Sequence, residues 1–278
     1  MSLAQEAVTK KTGATMQNDY FSLEALSASG AKELLRSPAH YRYWKDNPKE
    51  PTAAMVFGTL VHALILEPHR NIGDVVSIKQ LNWTTKEGKA EREELQKLGL
   101  PIVSQQDADR ALRVRDAVLD HEQAKELLAG MTCEKNYQWT GYSANVACKA
   151  GVDAVGPAGI IDIKTTIDAS PEGFARRIRA LNYHLQAAHY IDGVSHVDGV
   201  MHSFTFIAVE TAPPYAVACY QLDRNALSAG YATMDRIASV YARCLATGEW
   251  PAYSSGFSVL SLPNISAMDG VVEDAEDF

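Results

Sequence analysis

The period of hydrophobic spacing along this chain shifts from helical to strand-like near residue 131 and alternates after it. Residues 52–66, TAAMVFGTLVHALIL, are apolar almost throughout and end at Glu67-Pro68. The run is too short to span a membrane, so it predicts a helix buried in protein. Before it, Ser27 opens a capped helix that Pro38 closes, and Pro48 and Pro51 bound a loop. Residues 84–98 and 105–129 are charged and helix-like, so 22–130 reads as mostly helical. The spacing then shortens to that of strands over 135–141, 144–155 and 159–166, joined by short Gly-, Asn- and Pro-containing links. A helix is predicted over 171–191, with Pro171 in its first turn. Strands at 202–210 and 216–222 flank Thr211-Ala212-Pro213-Pro214, and a long helix covers 223–247.

Composition changes this picture little. The chain has 278 residues, 46% hydrophobic and 22% charged, an ordinary globular balance with enough length for a sizeable core. No apolar run reaches membrane-spanning length, and residues 1–20 lack the apolar stretch of an export signal. A cytoplasmic location without membrane contact is therefore expected. Cys133, Cys148, Cys219 and Cys244 show no CxxC spacing and read as reduced thiols. The net charge of −8 argues against a generic nucleic-acid coat. Five acids and no base lie in residues 266–278, which read as a solvated tail, as residues 1–21 read as a flexible start.

The candidate chemistry lies at 151–166, GVDAVGPAGIIDIKTT. Alternation places Asp162 and Lys164 on one strand face and Ile161 and Ile163 on the other. If 144–155 and 159–166 form a hairpin, Asp153 lies beside Asp162. Carboxylates buried together are costly without a partner, and a hard divalent cation would supply one. On spacing alone a salt-bridged sheet edge, Asp162 with Lys164 and Asp153 with Lys149, serves as well. His62, one turn after Gly58 on an apolar helix, fits either a core histidine or a ligand. On the 171–191 helix, Arg176, Arg179, Tyr183, Gln186 and Tyr190 form one stripe suited to phosphate and base contacts. There is no GxxxxGK[ST], GxSxG or HExxH. His69, His121, His184, His189, His196 and His202 read as surface or structural residues.

Asp153 followed by Ile161-Asp162-Ile163-Lys164 resembles the signature of the PD-(D/E)XK nucleases. Gln186-Ala187-Ala188-His189-Tyr190 resembles the QxxxY motif of their RecB-like branch. Phe57-Gly58-Thr59-Leu60-Val61-His62 resembles that branch's upstream histidine helix. Leu26-Ser27-Ala28-Ser29 with Leu34-Leu35-Arg36-Ser37-Pro38-Ala39-His40-Tyr41 resembles the start of a RecE-type exonuclease domain. Gly151 and Val152 stand where the family commonly has Arg-Pro. Glu134 resembles an acid of the first core strand, though by itself it reads as a solvated strand-start glutamate.

The resemblance implies a restriction-endonuclease-like α/β fold, a mixed central sheet flanked by helices with an N-terminal helical region. It implies one nuclease domain over 22–265, with 131–250 as its core. His62, Asp153, Asp162 and the Ile163 carbonyl would hold Mg²⁺, with Mn²⁺ able to substitute. Lys164, Gln186 and Tyr190 would serve the reaction, and Arg176, Arg179 and Tyr183 would contact DNA. It further implies 5′-to-3′ digestion of double-stranded ends, leaving a 3′ single strand for recombination, a ring-like homo-oligomer and a single-strand annealing partner.

Overall fold

The computed structural model describes residues 23–253 and 256–259. The flexible start and the acidic tail expected from sequence lie outside the described residues. Helix α1 (Ala28–Arg36) begins where the Ser27 hydroxyl accepts the Gly30 N–H. Pro38 does more than close α1: it occupies the first position of α2 (Pro38–Asp46), where its missing N–H costs nothing. Helix α3 (Ala53–Leu66) is the apolar run, capped by Thr52.

The region read as mostly helical also holds a small parallel sheet, β1 (Ser77–Lys79) beside β2 (Ile102–Ser104), with α4 (Lys86–Lys97) between them. Three-residue strands are too short to show alternation. The helix expected over 105–129 is two, α5 (Gln105–Asp120) and α6 (Glu122–Leu128). His121 leaves helical backbone between them and accepts the Ala124 N–H on Nδ1.

The central sheet runs β3 (Thr132–Gly141), β4 (Val146–Gly156), β5 (Gly159–Thr166), β6 (Phe204–Glu210), β7 (Val217–Tyr220), each beside the next. Only β5 and β6 pair in parallel, so the sheet is mixed. The parallel connection carries α7 (Pro171–Ala180) and α8 (Tyr183–Asp198), and α9 (Arg224–Thr247) follows the sheet. The single helix expected at 171–191 is thus broken. Asn182 adopts φ 52°, a left-handed conformation that asparagine tolerates better than most residues, and it separates the two helices.

One sheet face buries Tyr137, Trp139, Phe206 and Leu185 with residues of α1, α2 and α9. The other buries Ile161, Ile163 and Ile207 under Phe57, Leu60 and Val61 of α3 and Val114 and Val118 of α5. The central strands are covered on both sides, which explains their continuous apolar runs. Among the described residues no helix is long and apolar enough to cross a membrane, and the four cysteines are free thiols.

Candidate active site

The site begins where two strands part. The β4–β5 ladder pairs Gly156 with Gly159, Val155 with Ile160 and Ala154 with Ile161, and then ends. The next residues on each strand are Asp153 and Asp162. Beyond the ladder, the Ile163 N–H and C=O on the β4 side lose their strand partner. Two side chains replace it. The Ile163 N–H donates to Asp153 Oδ2 at 2.8 Å, and the Ile163 carbonyl lies 2.8 Å from His62 Nε2. Farther back along β4 the neighbouring place is taken by Leu26, whose N–H and C=O bond to Ala147 and Lys149. That bridge fixes the start of α1 beside the opening.

Asp162 lies on the face opposite Ile161 and Ile163, fully buried, as alternation predicts. Gln186 Nε2 donates to its Oδ1 at 2.8 Å, and Lys164 Nζ stands 2.5 Å from its Oδ2. The Asp162–Lys164 pair of the salt-bridge reading therefore forms, but inside the protein. Burial lifts the Asp162 carboxyl above its ordinary range, with Lys164 opposing and Asp153 reinforcing the lift. Burial also works against the Lys164 charge, but the carboxylates of Asp162 and Asp153 outweigh it and hold the lysine above its ordinary value. Lys164 is thus a cation at neutral pH. Its Nζ lies 4.9 Å from the Tyr183 ring centroid, and Lys32 Nζ of α1 lies 5.0 Å from the same centroid.

The donor chemistry fits a hard divalent cation. Asp153, Asp162 and the Ile163 carbonyl supply oxygens, and His62 Nδ1 faces Asp153 Oδ2 at 3.4 Å. Because Nε2 faces a carbonyl, it carries the ring hydrogen; a bare Nδ1 would then point its lone pair at a carboxylate, an arrangement that a cation relieves. Glu134 adds a further carboxyl near Asp153. Partial burial and the neighbouring Asp153 push its carboxyl up to about 7, against the pull of His62. Among the described residues no three such side chains are already gathered as a metal cluster; Asp162 and His62 are turned to protein partners.

Asp153, Asp162, Ile163, Lys164, His62, Gln186 and Tyr183 therefore converge. Arg176 and Arg179 do not share a stripe with Gln186, because they lie on α7 and are exposed there. Arg176 reaches Asp168 at 3.5 Å. Tyr190 is half-buried, its ring against Phe204. His189 is a buried structural histidine, its Nδ1 2.7 Å from the Tyr142 hydroxyl and its Nε2 3.1 Å from the Lys149 carbonyl. Glu134 is exposed, as a solvated strand-start glutamate would be, and lies opposite Asp153 in the β3–β4 register. Its φ is 52°, and its carboxyl is within electrostatic range of Asp153. Lys32 carried no sequence signal beyond its place on a short helix. Past Lys164, Thr165, Thr166 and Ile167 line a groove of about 910 Å³ with Phe57, Arg110 and Arg177.

A family model described as "PDDEXK-like domain of unknown function (DUF3799)" matches residues 27–262. The crystal structure of a "Putative exonuclease" from Eubacterium rectale superposes with TM-score 0.59 at 17% identity, over 90% of this chain and 94% of that one, a likeness of fold. The crystal structure of SSO0001 aligns at TM-score 0.29 and 15% identity, over 66% of this chain and 84% of that one, too distant in shape to bear on the site. No curated protein matches the sequence.

Proposed function

The chain belongs to the PDDEXK-like family DUF3799, and from that premise we propose that it is a divalent-cation-dependent nuclease that hydrolyses DNA phosphodiesters. The observation that carries this reading is the convergence of Asp153, Asp162 and Lys164 at the parting of β4 and β5, with His62 arriving from α3. Asp153, Asp162 and the Ile163 carbonyl would hold Mg²⁺ or Mn²⁺, with His62 and Glu134 beside them. A bound cation supplies Lewis acidity toward a phosphoryl oxygen and a nucleophile at neutral pH. Gln186 orients Asp162 through its amide. Lys164 keeps its proton and offers a fixed positive charge where negative charge develops on the phosphoryl oxygens.

The finer reading is an exonuclease that digests double-stranded ends 5′-to-3′ and leaves a 3′ single strand for recombination. The sequence resemblance to RecE-type domains supports it, as does the likeness in fold to the protein named "Putative exonuclease". A homo-oligomeric ring and an annealing-protein partner belong to the same reading. Incubation of end-labelled linear and closed circular duplexes with Mg²⁺, Mn²⁺ or EDTA tests it. Progressive shortening of the linear duplex, intact circles and silence in EDTA are expected, with the order of 5′- and 3′-label release giving polarity. Cutting of circles would replace the exonuclease with an endonuclease on the same core. Binding without cleavage under either cation would replace it with a catalytically silent DNA-binding module.

A further inference from the structure

Lys32 is a cation near the site that the nuclease reading leaves unused. Leu26, bridged to Cys148, anchors α1 beside the opening between β4 and β5. One turn and a half later Lys32 lies half-buried, with its ammonium over the same Tyr183 ring that carries Lys164. Among the described residues the Lys32 ammonium makes no hydrogen bond and no ion pair. Two like charges on one aromatic ring, only one of them paired with a carboxylate, form an electrostatically incomplete arrangement. Burial and the Lys164 charge hold Lys32 down at about 8, with Asp162 pulling it up only partly, and Lys32 in turn lowers His184. Nothing within the described protein balances this ammonium; an anion reaching the Lys164 side of the cleft would.

We propose that Lys32 is a substrate-contacting residue whose ammonium binds a non-bridging oxygen of the DNA backbone, on the phosphate next to the one that Lys164 serves. Two ammonium groups tethered to one ring are near enough to hold neighbouring phosphates of a single strand. Tyr183 sets their spacing, its ring packed in turn against Phe174 and Phe206. The contact positions the strand and carries no base information. This assignment rests on the nuclease reading of the same cleft.

The test measures binding of a short fluorescent DNA duplex in EDTA across a salt series, together with kcat and KM in Mg²⁺. The proteins are the wild type, Lys32→Met and Lys32→Arg. Methionine keeps the apolar stem over Tyr183 and removes the charge. Lys32→Met should weaken DNA binding about tenfold or more and lower the salt slope by about one. Its KM should rise more than its kcat falls, and arginine should restore both binding and slope. Unchanged affinity and slope in a folded Lys32→Met protein would overturn the proposal and leave Lys32 a packing residue. If Lys32→Met does not fold, a Lys32→Gln protein with wild-type affinity and slope would overturn it equally. A wild type that neither binds nor cleaves DNA would sink the nuclease reading itself, a different result from an active wild type indifferent to position 32.

Discussion

At the scale of single residues, burial decides what each charge is worth. A surface ion pair contributes about 0–1 kcal/mol, and that is the value spacing alone gives to Asp162 and Lys164. The structure buries Asp162 completely. Lys164→Ala should therefore act twice. Turnover should fall about 10²–10³-fold, as for loss of a preorganised group that stabilises developing negative charge. Stability at neutral pH should also drop, by about 3 kcal/mol, because a buried carboxylate loses its partner. With Asp162 lifted still further, that deficit should shrink as pH falls and the carboxyl takes a proton; urea melts at two pH values check this.

His189 behaves in the opposite sense. Burial holds it down at about 4, below the ordinary histidine value of about 6.5. Its neutral form supports the fold fully above pH 6.5, and the support is lost as pH falls toward 4. The loss by pH 5 is roughly 2 kcal/mol. His189→Gln should flatten the acid limb of the stability profile while lowering stability at pH 7. An unchanged acid limb in that variant would show that another group governs it. Strand alternation placed Asp162 and Lys164 on one face with Asp153 beside them, and the resemblance to the QxxxY motif singled out Gln186. Glu134 was legible only through the resemblance, as an acid of the first core strand, and Lys32 was not legible, because it meets Tyr183 only through tertiary packing.

At the scale of elements, strongly periodic segments were readable and their interruptions were not. Helices α3 and α9 and the strands of the central sheet lie close to where hydrophobic spacing puts them. The break at Asn182 escaped because its two sides continue one apolar pattern, while a single left-handed residue reorients the chain. The reorientation has a functional result: it places Tyr183 and Gln186 over β5 and leaves Arg176 and Arg179 on the exposed side of α7. Helix α8 is held in place by α9, which approaches so closely at Gly230 that a Cβ there would stand 2.6 Å from the His184 carbonyl oxygen. Gly230→Ala should force the two helices apart, at a cost of about 1–3 kcal/mol. It should also lower activity per folded molecule, since Gln186 moves with α8. Wild-type turnover from a destabilised Gly230→Ala protein would show that the Gln186–Asp162 contact tolerates the shift. Thermal melts and specific activity on the same preparation distinguish the two.

At the scale of the whole molecule, helices on both faces press against one mixed sheet, and the site lies where that sheet opens. The order of strands and helices followed from hydrophobic spacing, with its shift near residue 131, and the fold class from the resemblance of the motifs. The small β1–β2 sheet did not. A ligand that binds only the folded state raises its stability with concentration, by about 2.7 kcal/mol at a hundred times Kd. Mg²⁺ or Mn²⁺ should therefore raise the melting temperature of the wild type in a saturable way. Asp153→Asn and Asp162→Asn should each remove most of that increment. An equal rise in both variants would place the cation elsewhere.

The Ile163 peptide unit gives the molecule a natural indicator. Its N–H is held by a carboxylate and its C=O by an imidazole, where most strand peptides are held by another backbone. An event that reorients Asp153 or His62 must then alter the solvent protection of one amide in the middle of a strand. Arrival of a cation, or of DNA, becomes visible as a change in the deuterium uptake of that single amide. The β5–β6 ladder, whose register runs from Ile160 to Thr166, supplies silent reference amides on either side of Ile163.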